Sequence, residues 1–250
     1  MTGSPGEPGR VLVFIPSFND GAALPGLVQS LGALGPRFQP LLIDDGSATP
    51  VVGPALEAEC LHVRLPANFG LGLCTHIAFS HALRHQYAVV VRIDADGQHD
   101  VRDIARMVAL LDSGDTDLVI GARSNQERRA TPDNLARRLM KQYFTTFAAL
   151  LTAGALPRDV NSGLFAVNAA TMAALRGTTF ERFPEPEMFI VAVRAGLRVV
   201  AVDVKQRPRR EGRSTLGVVA ALRLFFRFTV FAVGQVFRRS ALRPRPRRPE

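Results

Sequence analysis

Four times in the first half of the chain, a short apolar, largely β-branched run stops at a polar cluster. Val11-Leu12-Val13-Phe14-Ile15 is closed by Pro16 and followed by Ser17, Phe18, Asn19 and Asp20. Leu41-Leu42-Ile43 ends in Asp44-Asp45-Gly46-Ser47, and Ala88 to Ile93 ends in Asp94-Ala95-Asp96-Gly97-Gln98. Leu118 to Ile120 ends in Gly121-Ala122-Arg123. Runs of this length and composition read as strands buried on both faces. Helical patterns separate them, over Ala22 to Leu34, after Gly72 to about His85, and from about Val101 to Leu111; Leu61 to Leu65 reads as a further strand. Strands alternating with helices predict βαβ units, hence an α/β fold around a mostly parallel central sheet flanked by helices. In open parallel sheets, ligands bind beyond the carboxyl ends of the strands, so the four polar clusters are expected to line one crevice.

The cluster after Ile93 carries the most specific chemistry. On an extended backbone, residues i and i+2 point to the same side, so Asp94 and Asp96, with Gln98 two further on, converge at a strand end. Convergent oxygen ligands suit Mg²⁺ or Mn²⁺ and leave coordination positions for a diphosphate. The competing reading is a loop whose acids are merely solvated. Asp45-Gly46-Ser47 reads either as a ligand site or as a turn with a helix cap. Asn68-Phe69-Gly70-Leu71-Gly72 reads either as backbone built for close approach to a ligand or as a plain turn.

At 250 residues and 47% hydrophobic content the chain suits one large globular domain. Cys60 and Cys74 follow no metal or redox spacing and read as apolar residues in a reducing compartment. Met1 to Gly9 is Gly/Pro-rich and reads as a disordered tail, not a signal peptide, so residues 1–10 are set outside the domain. In the second half, Leu135 to Leu151 and Ala169 to Leu175 are helical patterns, Leu164 to Val167 a short strand, Met188 to Ala195 an apolar helix and Val199 to Val204 a last strand.

The net charge of +9 is uneven: residues 238–250 hold six arginines and one glutamate, a net +5. A basic tail suits nucleic acid or an anionic membrane face. The segment before it favours membrane. Val218 to Phe237 is apolar but interrupted by Arg223 and Arg227, and only ten uncharged residues follow Arg227. A bilayer span needs roughly 20 apolar residues, and an arginine at its centre costs about 2.5–3.5 kcal/mol. Residues 217–237 are therefore expected to form an amphipathic helix at a membrane surface, with the basic tail at the headgroups. Packing on the domain itself, or against another subunit, are the other readings.

Eight segments in order, VLVFIPSFND, LLIDDGS, NFGLGL, VVRIDADGQHD, DLVIGAR, DVNSGLFAVN, FPEPEMFIVAVRAGLRV and RREGRSTL, resemble the family 2 glycosyltransferases. Within that family the likeness is to the polyprenyl-phosphate sugar transferases, of the dolichyl-phosphate mannose synthase kind. It implies a GT-A fold over residues 11–216, with a nucleotide-binding half and an acceptor-binding half on one continuous sheet. It also implies site roles. Pro16, Phe18, Asn19 and Asp20 would sit against base and ribose, Asp20 standing where most relatives carry Glu. Asp44 and Asp45 would accept from the base, and Asn68, Gly70, Gly72 and Ala95 would approach the nucleotide. Asp94, Asp96 and Gln98 would hold the metal on the diphosphate. Arg123 and Arg213 match phosphate-binding positions. Ser162, Gly163, Arg209 and Arg210 would frame the acceptor, with Glu187 an acid at its floor. Glu187 also reads as a helix N-terminal acid favoured by the dipole. Asp96, Arg123, Glu187 and Arg213 are thus the expected catalytic set.

The chemistry agrees with these roles. Attack at the anomeric carbon builds charge on the departing nucleoside diphosphate, which a divalent cation and arginines stabilise. A lipid phosphate is already anionic and needs no base, whereas a hydroxyl acceptor needs one, for which Asp159 or Glu187 would serve. The expectation is a metal-dependent, inverting transfer from a nucleotide-diphosphate sugar at the cytoplasmic face of a membrane. The Glu185-Pro186-Glu187 loop, and Leu164-Phe165 after Gly163, depart from the lipid-linked branch and resemble bacterial members tied to envelope polysaccharides. Both a polyprenyl-phosphate and an envelope-glycan acceptor therefore stay open. The rivals are an inactive nucleotide-sugar-binding scaffold on the same fold, and a nucleotidyltransferase. The latter would carry a Gly-rich basic loop after the first strand, and Ile15-Pro16-Ser17-Phe18-Asn19 is not one. A nucleic-acid binder would rest on the arginine tail alone.

Overall fold

The computed structural model describes residues 9–123, 135–156, 162–178, 184–205 and 218–237, without the side chains of 54–55, 135–141 and 218–224. Its strands are β1 (Val11–Ser17), β2 (Phe38–Asp44), β3 (Leu61–Arg64), β4 (Val89–Arg92), β5 (Leu118–Arg123), β6 (Phe165–Asn168) and β7 (Val199–Val204). They form one seven-stranded sheet in the order β3-β2-β1-β4-β6-β5-β7. Every neighbouring pair is parallel except the two made by β6, which runs antiparallel to β4 and β5. The α/β, mostly parallel sheet expected from the strand pattern is therefore present. β1 runs one residue beyond Pro16, which pairs with Ile43 and costs the ladder only a donor.

The helices are α1 (Leu24–Gly32), α2 (Pro54–Glu57), α3 (Leu71–Arg84), α4 (Val101–Asp112), α5 (Leu135–Leu151), α6 (Ala169–Leu175), α7 (Pro184–Arg194) and α8 (Val218–Phe237). Alternation along the strands divides the core. Val11, Val13, Val89 and Val91 face α1 and α4, while Leu12, Phe14 and Val90 face α3, α6 and α7. In α4, Ile104, Met107, Val108 and Leu111 fall at i, i+3, i+4 and i+7 and are buried, each worth about 1.5–3 kcal/mol. The Asp100 carboxylate caps the same helix by accepting from the Arg102 N–H at 3.0 Å.

Two findings differ from the sequence reading. Gly9 and Arg10, assigned to the tail, are tied in: the Gly9 carbonyl accepts from Arg37 Nε at 2.7 Å, and Arg10 donates to the Tyr87 hydroxyl at 2.8 Å. Residues 1–8 lie outside the described residues. The helix expected from Met188 starts at Pro184, because a first turn leaves its N–H groups unbonded and so accepts both Pro184 and Pro186. Glu185 and Glu187 consequently sit inside α7. Helix α8 packs on the domain, one of the readings left open for it, through Phe228 and Phe231, which cluster with Phe144 and Ala148 of α5 and Ile190 of α7. Arg194 of α7 clamps the trio by donating to the carbonyls of Leu151 and Gln235 at 3.1 and 2.9 Å. No helix among the described residues is long and apolar enough to cross a membrane.

Candidate functional site

Strands β1, β2, β4 and β5 all deliver their carboxyl ends to one edge of the sheet, as Ser17↔Asp44, Phe14↔Arg92 and the shared pairing of β4 and β5 with β6 require. Because β6 runs the other way, the residues before it, Ser162 to Leu164, arrive at that same edge. The reversal of one short strand thus brings the segment expected to frame an acceptor beside the acids expected to hold a donor. The contact is close: a Cβ on Gly163 would lie 2.0 Å from Oδ2 of Asp94, so any other residue there would displace that carboxylate. Ser162 is buried and donates its hydroxyl to the Gly121 carbonyl on β5, which fixes this loop to the strand bearing Arg123.

On the β1–β2 side the polar residues build the loops. Asp45 is buried, and its Oδ1 accepts from the Phe69 N–H at 2.8 Å. Its Oδ2 accepts from the Gly70 N–H and from Asn68 Nδ2, each at 2.8 Å. This acid, expected to meet a base, is engaged in shaping the Asn68–Gly70 loop, whose backbone donors and amide satisfy it. Asp44 also works within the chain: Oδ1 accepts from the Ser47 N–H at 2.9 Å, and Oδ2 lies 3.5 Å from Arg64 Nε. Asn19 adopts φ 54°, accepts from the Ala48 N–H at 2.9 Å and donates its own N–H to Ser47 Oγ at 2.8 Å. These ties leave two aromatic rings projecting from the same loops, Phe18 at 47% and Phe69 at 52% exposure. Asp20 is exposed beside them, Pro16 is buried within β1, and Gly72 is buried in the first turn of α3.

At the end of β4, Asp94 is half-buried and Asp96 lies in the turn that follows, its Oδ1 accepting from the Gln98 N–H at 3.1 Å. Gly97 takes φ +68°, the left-handed conformation this turn needs. Ala95 is buried in the core beneath the turn. His99 is buried, and desolvation lowers its pKa; Asp94, Asp96 and Asp103 push it up, and Arg123 pushes it down. His99 thus feels the charge of both acids and of Arg123. Among the described residues no three His, Cys, Asp or Glu side chains converge to form a metal cage. Two carboxylates at a strand end still fit Mg²⁺ or Mn²⁺, which take few protein ligands when a diphosphate supplies the rest.

Two residues of the site were not singled out from sequence. Arg92, 2% exposed, donates from one guanidinium nitrogen to Asp94 Oδ1 at 2.9 Å and from another to Glu185 Oε1. Burial works against its charge, but Glu185 and then Asp94 more than offset it and raise its pKa. The signal was an arginine inside an otherwise apolar strand, which must find anionic partners. Glu185 is that partner. Glu187, also buried, has its pKa raised to about 7, by desolvation first and by Glu185 second. Arg209, Arg210, Arg213 and Asp159 lie outside the described residues.

A family model described as glycosyl transferase family 2 matches residues 12–170. The polyprenol monophosphomannose synthase of Mycolicibacterium smegmatis is 34% identical over 120 residues, which are 46% of this chain and 45% of that protein. This chain therefore matches under half the length of that relative. The undecaprenyl-phosphate mannosyltransferase of Micrococcus luteus is 26% identical over 215 residues, 83% of this chain and 87% of that one. Among solved structures, glucosyl-3-phosphoglycerate synthase of Mycobacterium tuberculosis, in complex with Mn²⁺, UDP-glucose and phosphoglyceric acid, superposes with a TM-score of 0.68 at 16% identity. The match covers 90% of this chain and 80% of that one. At that identity the likeness speaks for the fold.

Proposed function

The chain belongs to the family 2 glycosyltransferases, and from that premise we propose that it moves a sugar from a nucleotide-diphosphate donor to a polyprenyl phosphate at an anionic membrane surface. The observation that carries the reading is the abutment of Gly163 on Asp94. An acid suited to a donor's cation and the loop before β6 share one edge, so donor and acceptor would meet there. Relatives named for polyprenyl-phosphate substrates support the acceptor, and a fold neighbour solved with Mn²⁺ and UDP-glucose supports the donor.

Asp94 and Asp96, with Gln98, would hold Mg²⁺ or Mn²⁺, whose chemistry is to neutralise charge developing on the diphosphate. The chain's own residues do the remainder. Phe18 and Phe69 offer exposed rings for a base to stack on. The Asn68–Gly70 loop, braced by Asp45, shapes the nucleotide side. Arg123, beside the acids, adds positive charge, and Arg209, Arg210 and Arg213 are assigned to phosphate binding by their fork chemistry. The reaction proposed is a single displacement with inversion at the anomeric carbon.

A second reading rests on Glu187. A buried carboxyl with a pKa near 7 is suited to take a proton from a hydroxyl, so an envelope-glycan hydroxyl is the alternative acceptor.

The membrane surface is argued from α8. Phe226, Val230, Val233 and Phe237 form a stripe opposite the face packed on the domain and are 50% to 80% exposed. The arginines of residues 238–250 follow at once. An apolar stripe next to clustered positive charge suits anionic lipid and supports a peripheral position on the cytoplasmic leaflet.

The test is to offer the purified protein undecaprenyl phosphate or a glycan oligosaccharide, with UDP-, GDP-, dTDP- or CDP-sugars and Mg²⁺ or Mn²⁺. Lipid-linked sugar of inverted configuration is expected. Transfer to the hydroxyl acceptor alone selects the second reading. Nucleotide binding without any turnover leaves only the scaffold.

A further inference from the structure

We propose that Arg92 is a positioning residue of the donor site, one guanidinium that fixes the Asp94 carboxylate while anchoring Glu185 at the start of α7. The proposal rests on the donor-site reading above. A buried ion pair is weak support for stability, since apolar residues of similar volume often do as well. An arginine in β4, flanked by Val91 and Ile93 and lying beside the Phe165 ring at 6.0 Å, therefore asks for another reason.

Geometry supplies one. An aspartate at a strand end turns freely about its terminal torsion. Here Oδ1 is taken by Arg92 at 2.9 Å, and the Oδ2 side lies against Gly163. The planar fork and the glycine together set the plane of the carboxylate. Glu185, on the other arm of the fork, balances the arginine's charge, so Asp94 keeps its negative charge for a cation. Because Glu185 stands in the first turn of α7, the same guanidinium joins the strand carrying the donor acids to a helix of the acceptor half.

The role predicts a loss confined to metal-dependent binding. Arg92→Lys keeps the charge and removes the fork. Binding of UDP and of GDP, each with and without Mn²⁺, is measured by calorimetry, and the melting temperature is read in parallel. Arg92→Lys is expected to melt within a few degrees of wild type and to bind nucleotide without metal unchanged. The gain in affinity that Mn²⁺ gives should fall about tenfold or more, the usual cost of losing a partner that orients a ligand. Asp94→Asn should lose the same gain, and the double variant should lose no more than Asp94→Asn alone. Glu185→Gln tests the link from the far side, independently of how well the Arg92 variant folds. Arg92 would then turn its charge wholly onto Asp94, and the Mn²⁺ gain should fall severalfold. A full Mn²⁺ gain in both Arg92→Lys and Glu185→Gln, or losses that simply add, overturns the proposal. So does metal-free binding that declines in step with melting, which marks a structural role alone. A wild-type protein in which Mn²⁺ adds nothing with either nucleotide overturns the donor-site reading itself.

Discussion

Asp45 and Glu187 both read from sequence as acids that meet a substrate, and the fold separates them. Asp45 is satisfied by the Phe69 and Gly70 N–H groups and by Asn68. Nothing in Asp-Asp-Gly-Ser announces this, because the donors come from more than twenty residues away. Glu187 is instead buried beside Glu185, and desolvation first, then that neighbour, raises its pKa from 4.5 to about 7. The folded state therefore binds its proton more tightly than the unfolded chain. Glu187 costs no stability below about pH 4.5, then lowers stability progressively up to about pH 7, and the deficit remains above that. Its size is on the order of 3 kcal/mol. Glu187→Gln should raise the melting temperature by several degrees at pH 8 and leave it unchanged near pH 4.5. If Glu187 is the base for a hydroxyl acceptor, the same variant should abolish the rise in turnover through pH 7. Arg92 stood in plain view in the strand run, but its partner Glu185 lies 93 residues on, and only the folded chain joins them.

At the scale of elements the sequence was most legible where periodicity was unbroken. The helices Leu135–Leu151, Ala169–Leu175 and Val218–Phe237 and the strand Val199–Val204 fall where their patterns place them. The start of α7 was hidden because two prolines break the apolar period without breaking a first turn. The direction of β6 was hidden because four apolar residues are the same strand read either way. In α8, expected from the sequence to be amphipathic, burial divides the apolar residues themselves: Phe228 and Ala232 inward, Phe226, Val230, Val233 and Phe237 outward. A substitution on the outward stripe should therefore spare the fold and weaken lipid contact. Val230→Glu with Val233→Glu is expected to leave the melting temperature within about a degree, in keeping with the small cost of most exposed substitutions. The same pair should sharply reduce co-flotation with anionic liposomes. Equal flotation of variant and wild type would remove the membrane from the proposal.

For the whole molecule, the four polar clusters that followed strands in the sequence do gather at one sheet edge. The loop from Ser162 to Leu164, proposed to frame the acceptor, joins them only through the reversed strand between β4 and β5. Ligand binding at that edge should be visible as stability. A ligand specific to the native state adds roughly 2.7 kcal/mol at 100 times its dissociation constant. The melting temperature should rise with one nucleoside diphosphate and rise further with Mn²⁺. Asp96→Ala, altering a half-buried turn residue, should keep the first increment and lose the second. A second increment that survives in Asp96→Ala would remove Asp96 from the cation site.

The placement of β6 also bears on how such a chain can change over evolutionary time. Its hydrogen bonds run to β4 on one side and β5 on the other, so the half that would meet the acceptor is laced into the middle of the sheet. Enzymes whose two substrates sit on separable modules can diversify by recombination, swapping one module whole. This topology closes that route, since excising the later segment would strip a central strand and expose the edges of its neighbours. New acceptors would have to come by drift in the loops at the sheet edge, one substitution at a time, under the constraint that Gly163 still clears Asp94.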